Sequence, residues 1–440
     1  MASLSYATWI LEQEARALMT RLNRIKPFAL HESMLPAASI LPSAQTGIES
    51  YLIKSRQELR GMIQQYIGWL RGPSGQRATP AHAQRLFSIL RLRFNAVLTQ
   101  FDLFSDALTQ RSENEIGVWL SGLDVVAADA LRLPGDYYDA PPVICYLDRG
   151  VGAAIRRART RLPGGGENPV AVIRVPRERM VGSSIASSLV HEVGHQAAAL
   201  LDLVNSLRPV LQGLQRGSGP YNPVWSLWER WISEIVADFW SVARVGIAST
   251  LGLMGVVSLP RAFVFRLNLD DPHPPPWIRV KLSCAMGKAL YPHPQWDRLA
   301  ELWEAFYPLS GLSAELRRDF DKLQATLPGF VALLVNHRPK SLRGQTLVDV
   351  LDVKNRQPRY LQAHFLAWRK DPSKMYRISP ILAFAIIGQA RSDGRMSPEQ
   401  ESAILAKLLT HWALSSTLSV SAACAGRSIR YTSPRVIAAI

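Results

Sequence analysis

The chain has 440 residues, 48% of them apolar and twelve of them tryptophan. That is apolar material for two or three domains, or one domain with large helical additions, and it excludes a disordered or fibrous chain. The formal charge of +16 comes from 41 arginines against 10 lysines, dispersed except for the run Arg156, Arg157, Arg159 and Arg161; scattered charge argues for a solvated surface and against a specific nucleic-acid interface.

Residues 1 to about 115 read as a helical region. Tyr6 to Ile25 is amphipathic, Ile48 to Leu70 repeats the pattern, and Pro80 to Leu108 follows the break Gly72-Pro73-Ser74-Gly75. Glu12 and Glu14 interrupt the first segment, so it lacks the apolar centre of a signal peptide. Residues 142–147 and 170–175 are short, apolar and partly β-branched, the pattern of strands, with a Gly/Pro-rich loop between them. The second of these is expected to form an open edge on which an extended peptide aligns.

A strong helix follows, with Ser183 or Ser184 as its expected cap and apolar residues recurring from Ile185 to Leu203. Another is predicted to start at Asn222-Pro223 and run past Trp240. The uncharged run 245–259 has 15 residues, against about 20 for a bilayer span, so it reads as a buried helix and membrane contact is not expected. Asp271 to Trp277 is proline-rich and should be extended. Residues 296–418 return to helix, with a capped turn at Ser397-Pro398-Glu399, and 419–440 reads as a loosely held tail. Cys145, Cys284 and Cys424 are odd in number and far apart, which argues against a disulfide framework and for a reducing, cytoplasmic setting.

The decisive feature is His191-Glu192-Val193-Gly194-His195. Histidines four apart on a helix share a face, so both imidazoles can bind one zinc ion, and Glu192 beside them can take a proton from its water. A catalytic zinc needs a third protein ligand from elsewhere. Glu234 is the candidate: it sits among Trp231, Ile235, Phe239 and Trp240, where a buried carboxylate needs a partner. Asp238, one turn later, can orient a ligand histidine. Glu229 competes for the ligand position but has no aspartate one turn on.

A strand, a helix with HExxH and a later helix with ExxxD together resemble the gluzincin metallopeptidases. The chain is also similar to a narrower branch, the CAAX prenyl proteases and their soluble relatives, which place His-Pro-Pro after the glutamate helix and an arginine six residues beyond that histidine. Here the segment reads His273-Pro274-Pro275-Pro276-Trp277-Ile278-Arg279. The resemblance spans about residues 140 to 285. It implies a zincin core, assigned here to 116–295; with the helical regions read above on either side, the expected fold is α+β and predominantly helical. It further implies one Zn2+ per chain, a peptide or protein substrate, and His273 and Arg279 facing the zinc to stabilise the oxyanion. The alternative is a basic scaffold or nucleic-acid-binding protein whose zinc site is structural or inactive.

Overall fold

The computed structural model describes residues 2–25, 35–150, 152–177, 182–217, 219 and 221–428. It is mostly helical, with one small sheet. Three long helices, Ala2–Arg24, Pro42–Arg71 and Pro80–Thr109, open the chain. Pro42 and Pro80 stand in first turns, where their missing N–H costs nothing, and the Thr79 side chain accepts from His82 N. Leu11, Ala15, Leu18 and Leu22 recur at helical spacing and are buried against Ile48, Leu52, Leu59 and Ile63 of the next helix.

The sheet has the order β1-β3-β2: β1 (Val143–Asp148) runs parallel to β3 (Ala171–Pro176), and β2 (Ala154–Arg156) runs antiparallel to it. Side chains alternate between its faces. Ile144 and Val172 join the core of the three opening helices, whereas Val143, Cys145, Leu147, Ala171, Ile173 and Val175 join the core of everything downstream. One sheet thus separates two apolar cores. The helices beyond residue 296 add Phe320, Leu323, Ile386, Leu405 and Leu409 to the same core as residues 120–290, so they form no separate body.

Two strand expectations change. β2 was not anticipated, being three residues long and half-buried, with arginine at its end. Because it pairs with β3, the strand expected to offer an open edge lies in the middle of the sheet, and β2 is the edge instead. The opposite edge is closed by side chains. Arg111 and Asp124 take the carbonyl and N–H of Cys145, at 2.6 and 2.7 Å, and Gln110 takes those of Leu147, at 2.8 and 2.7 Å. Among the described residues, β2 is the sheet edge left without such a cover.

The HExxH helix spans Ser183–Leu200 and the ExxxD helix Ile232–Val245. Three boundaries differ from expectation. Neither Ser183 nor Ser184 caps the first helix; Gly182 precedes it, and the Ser183 N–H donates to the Glu401 carboxylate at 2.9 Å, 218 residues away. The second helix breaks at Trp231, separating Asn222–Arg230 from Ile232–Val245, where the indoles of Trp228 and Trp231 bury edge to face. The proline segment is non-helical only to Pro275, and it bends at Pro272 and His273 where an extended run was expected. Pro276 starts the helix Pro276–Leu290, a first-turn position that proline tolerates.

The run 245–259 folds as the buried helix Ile247–Val257, and among the described residues no helix is long and apolar enough to cross a membrane. The Ser397 turn caps the last helix, Pro398–Ser428, with Gln400 N on Ser397 Oγ at 3.3 Å. The expected tail is therefore helical to Ser428, and its last twelve residues lie outside the described ones.

The HExxH and ExxxD helices meet at Gly194. A methyl group there would come within 2.8 Å of Ala237 Cα and 2.9 Å of its carbonyl oxygen. Gly194→Ala should destabilise the protein by about 1–3 kcal/mol, the cost of overpacking. Gly213→Ala, on an exposed helix with open space around it, should be neutral or stabilising by up to ~1 kcal/mol. Thermal melts of both variants against the wild type check this; equal losses would show that the crossing is not tight.

Candidate metal centre

His191 and His195 stand one turn apart on the cleft side of their helix, while Leu189, Val190, Val193 and Ala197 bury the opposite side. Their rings meet edge to face with centroids 4.8 Å apart. Glu234, in the first turn of the facing helix, brings Oε2 to 3.2 Å from His191 Nε2 and 3.5 Å from His195 Nε2. These three residues offer ligand atoms that all lie within 4.8 Å of one another.

The donor set fits zinc. Two imidazole nitrogens and one carboxylate oxygen, each about 2.0–2.2 Å from a tetrahedral ion, would sit roughly 3.3 Å apart, close to the 3.2 and 3.5 Å between Glu234 and the two imidazoles. Glu234 Oε2 is also buried without a hydrogen-bond partner, although three imidazole nitrogens surround it. A buried carboxylate oxygen in that state calls for a cation.

Behind the ligands lies a chain of charged groups. Asp238 places Oδ1 2.8 Å from His191 Nδ1, so the far side of the ligand ring faces a carboxylate. Asp238 in turn receives two hydrogen bonds from Arg279, Nε at 2.7 Å and Nη2 at 2.9 Å. Burial works against charge on Asp238, but Arg279 and His191 prevail and hold its pKa well below the ordinary carboxylate range. Burial likewise opposes charge on Glu234, and the three histidines overcome it, driving its pKa far down. At His191 burial is outweighed by Asp238 and Glu234, which raise the imidazole to about 9.

His273 enters from the proline segment. Its Nδ1 is 2.8 Å from Asp271 Oδ1, its own N–H donates to that oxygen at 2.9 Å, and its Nε2 reaches to 3.1 Å from Glu234 Oε2. Contact with Glu234 raises its pKa. His273 is not one of the three converging ligands. Sequence reasoning placed His273 here but missed Asp271, its orienting partner; an aspartate two residues before a histidine in a proline turn is the signal that would have found it. Arg279 arrives too, but with two donors committed to Asp238.

Glu192 is buried and lines the cleft with His191. The rejected ligand, Glu229, is occupied elsewhere: it accepts from Gln212 at 2.8 Å and Gln215 at 2.6 Å. In front of His191, His195 and Glu234 a cavity of about 360 Å³ is walled by Ala153 and by Ala154 and Ile155 of β2 on one side and by Ser233 and His273 on the other. A second cavity of about 140 Å³ continues past Ser187, Ser188, Ser241, Leu253 and Val256. Comparison with protein-family models, curated proteins and solved structures finds no match to this chain.

Two expectations follow. Purified protein should carry about one zinc per chain, lost in His191→Ala, His195→Ala and Glu234→Ala but kept in Glu229→Ala, as elemental analysis will show; equal metal in the two glutamate variants would misplace the third ligand. The second concerns pH. His191 has a raised folded-state pKa, so in metal-free protein its charged form contributes stability fully below its ordinary value of 6.5 and loses it as pH rises through about 9. Thermal melts between about pH 7 and 10 should fall more steeply for the metal-free than for the zinc-loaded protein, in which His191 is already neutral. Parallel curves would refute this.

Proposed function

We propose that the chain is a zinc-dependent endopeptidase, with His191, His195 and Glu234 holding the metal and Glu192 acting as general base. The observation that carries this reading is the convergence of three potential ligand atoms beside a buried glutamate, in a cleft walled by the β2 edge of the sheet. Bound zinc would supply a Lewis acid and a water acidic enough to react near neutral pH.

The chain's own residues supply the rest. Glu192 takes the proton of the attacking water on a carboxylate oxygen and hands it to the departing amine nitrogen. His273, oriented by Asp271 at Nδ1, presents Nε2 to the carbonyl oxygen as negative charge gathers there. Arg279 holds Asp238, and Asp238 holds the His191 ring, so the geometry favours a positioning role for Arg279 over a free oxyanion donor. An extended peptide lies along β2, whose outer edge borders the ligands. A structural zinc site is disfavoured: it takes four protein ligands, commonly cysteines, and Cys145 and Cys284 are both buried in the apolar core outside the converging set.

Glu192→Gln should keep its zinc and lose roughly 10²–10⁴ in kcat on any peptide the wild type cleaves. His273→Ala should also keep zinc, with kcat reduced about 10²–10³ and KM nearly unchanged. Arg279→Ala should instead resemble Asp238→Asn, weakening zinc affinity by about 10–100-fold. Steady-state kinetics with zinc measured on the same samples separates the roles; an Arg279→Ala enzyme with full zinc affinity but low kcat would return Arg279 to the oxyanion.

A further inference from the structure

We propose that Arg157 selects the substrate, so that the peptide held in the cleft presents a carboxylate near the bond to be cut. This rests on the peptidase reading above. Among the charged residues that line the cavity in front of the ligands, His191, His195 and Glu234 form the trio, Glu192 and His273 face it, and Arg157 remains. Two neighbours in the arginine run are engaged: Arg156 donates to Gln100 Oε1 at 2.6 Å, and Arg159 to Asp139 Oδ2 at 3.1 Å. The exposed Arg157 guanidinium has no hydrogen bond or ion pair among the described residues.

Its backbone, by contrast, is pinned. Arg157 O accepts from Thr160 Oγ1 at 2.7 Å and Asn168 Nδ2 at 3.0 Å, and the next N–H, of Ala158, donates to Gln196 Oε1 on the HExxH helix at 2.8 Å. Arg157 therefore stands on a stem tied to the helix that carries both histidines, with its planar fork of donors unspent. A fork of that kind pairs with a carboxylate through two parallel hydrogen bonds. Arg157 directly follows β2, so a peptide extended on that edge brings to it a group within a few residues of the ligands. Two sources can supply the carboxylate, an Asp or Glu side chain or the peptide's own C-terminus.

The test uses zinc-loaded wild-type protein, Arg157→Gln and Arg157→Glu, with cleavage read by mass spectrometry on three pools of decapeptides with randomised uncharged cores. The first pool carries Asp or Glu at each position in turn and an amidated C-terminus. The second is uncharged with a free C-terminal carboxylate, and the third is uncharged and amidated. Wild type should prefer the first or the second pool over the third by about tenfold, and which of the two it prefers identifies the source. Arg157→Gln should erase that preference and Arg157→Glu should invert it, favouring the third pool over the two that carry a carboxylate, all three proteins holding equal zinc. The wild-type preference should shrink as salt is raised. Cleavage of all pools at similar rates by wild type and Arg157→Gln alike overturns the role of Arg157 while leaving the peptidase standing. Cleavage of none by zinc-loaded wild type overturns the peptidase reading and this one with it.

Discussion

The distance between two helices governs this site. Gly194 lies directly over Ala237, and because nothing larger than hydrogen fits between them, the HExxH and ExxxD helices approach closely enough for Glu234 to stand beside both histidines. The glycine within the motif is thus not a spare position. A second close pair, Gly388 over Ala248, where a methyl group would meet the Ala248 Cβ at 2.2 Å, sets a C-terminal helix against the buried helix Ile247–Val257. Cores packed at near-crystalline density transmit such constraints, so ligand geometry is inherited from residues that touch no ligand.

Much of this was legible in the sequence, for local reasons. His191 and His195 are four apart, Glu234 and Asp238 are four apart, and helical periodicity alone places each pair on one face. The apolar runs of β1 and β3, the first-turn prolines and the Ser397 cap are likewise local signals. What could not be read depends on contacts distant in sequence. β2 has only three residues and owes its existence to β3. Which strand lies at the edge follows from that pairing, and the pairing moved the open edge from β3 to β2. The cap of the HExxH helix comes from Glu401 in place of the adjacent serines, and no local pattern announces a partner 218 residues away. Arg279 was legible as a resident of the site, but its engagement with Asp238 was not.

The sheet does two jobs with opposite faces and opposite edges. Its faces divide the apolar residues between the opening helices and the rest of the chain. Its β1 edge is sealed by a buried ion pair, Arg111 with Asp124, whose charges are spent on each other and on the Cys145 backbone. Buried ion pairs are weak sources of net stability, because desolvation offsets their attraction. This one closes the β1 edge to a further strand and leaves the β2 edge, beside the histidines, uncovered by it.

The Glu401 cap has a consequence in time. Ribosomes deliver a chain from its N-terminus at about 5–20 residues per second, so the HExxH helix emerges well before the carboxylate that receives its first N–H. Until residue 401 has been made, that helix end lacks its acceptor and the negative charge that suits its dipole. Arg391, 3.1 Å from the same carboxylate, holds it in place once it comes. A nascent chain would carry His191, His195 and Glu234 and still have an unfinished helix beneath the two histidines until Glu401 is added. The order of synthesis thus sets the order of fastening: the helix that carries both histidines is completed only after the whole stretch from Ser183 to Glu401 has been made.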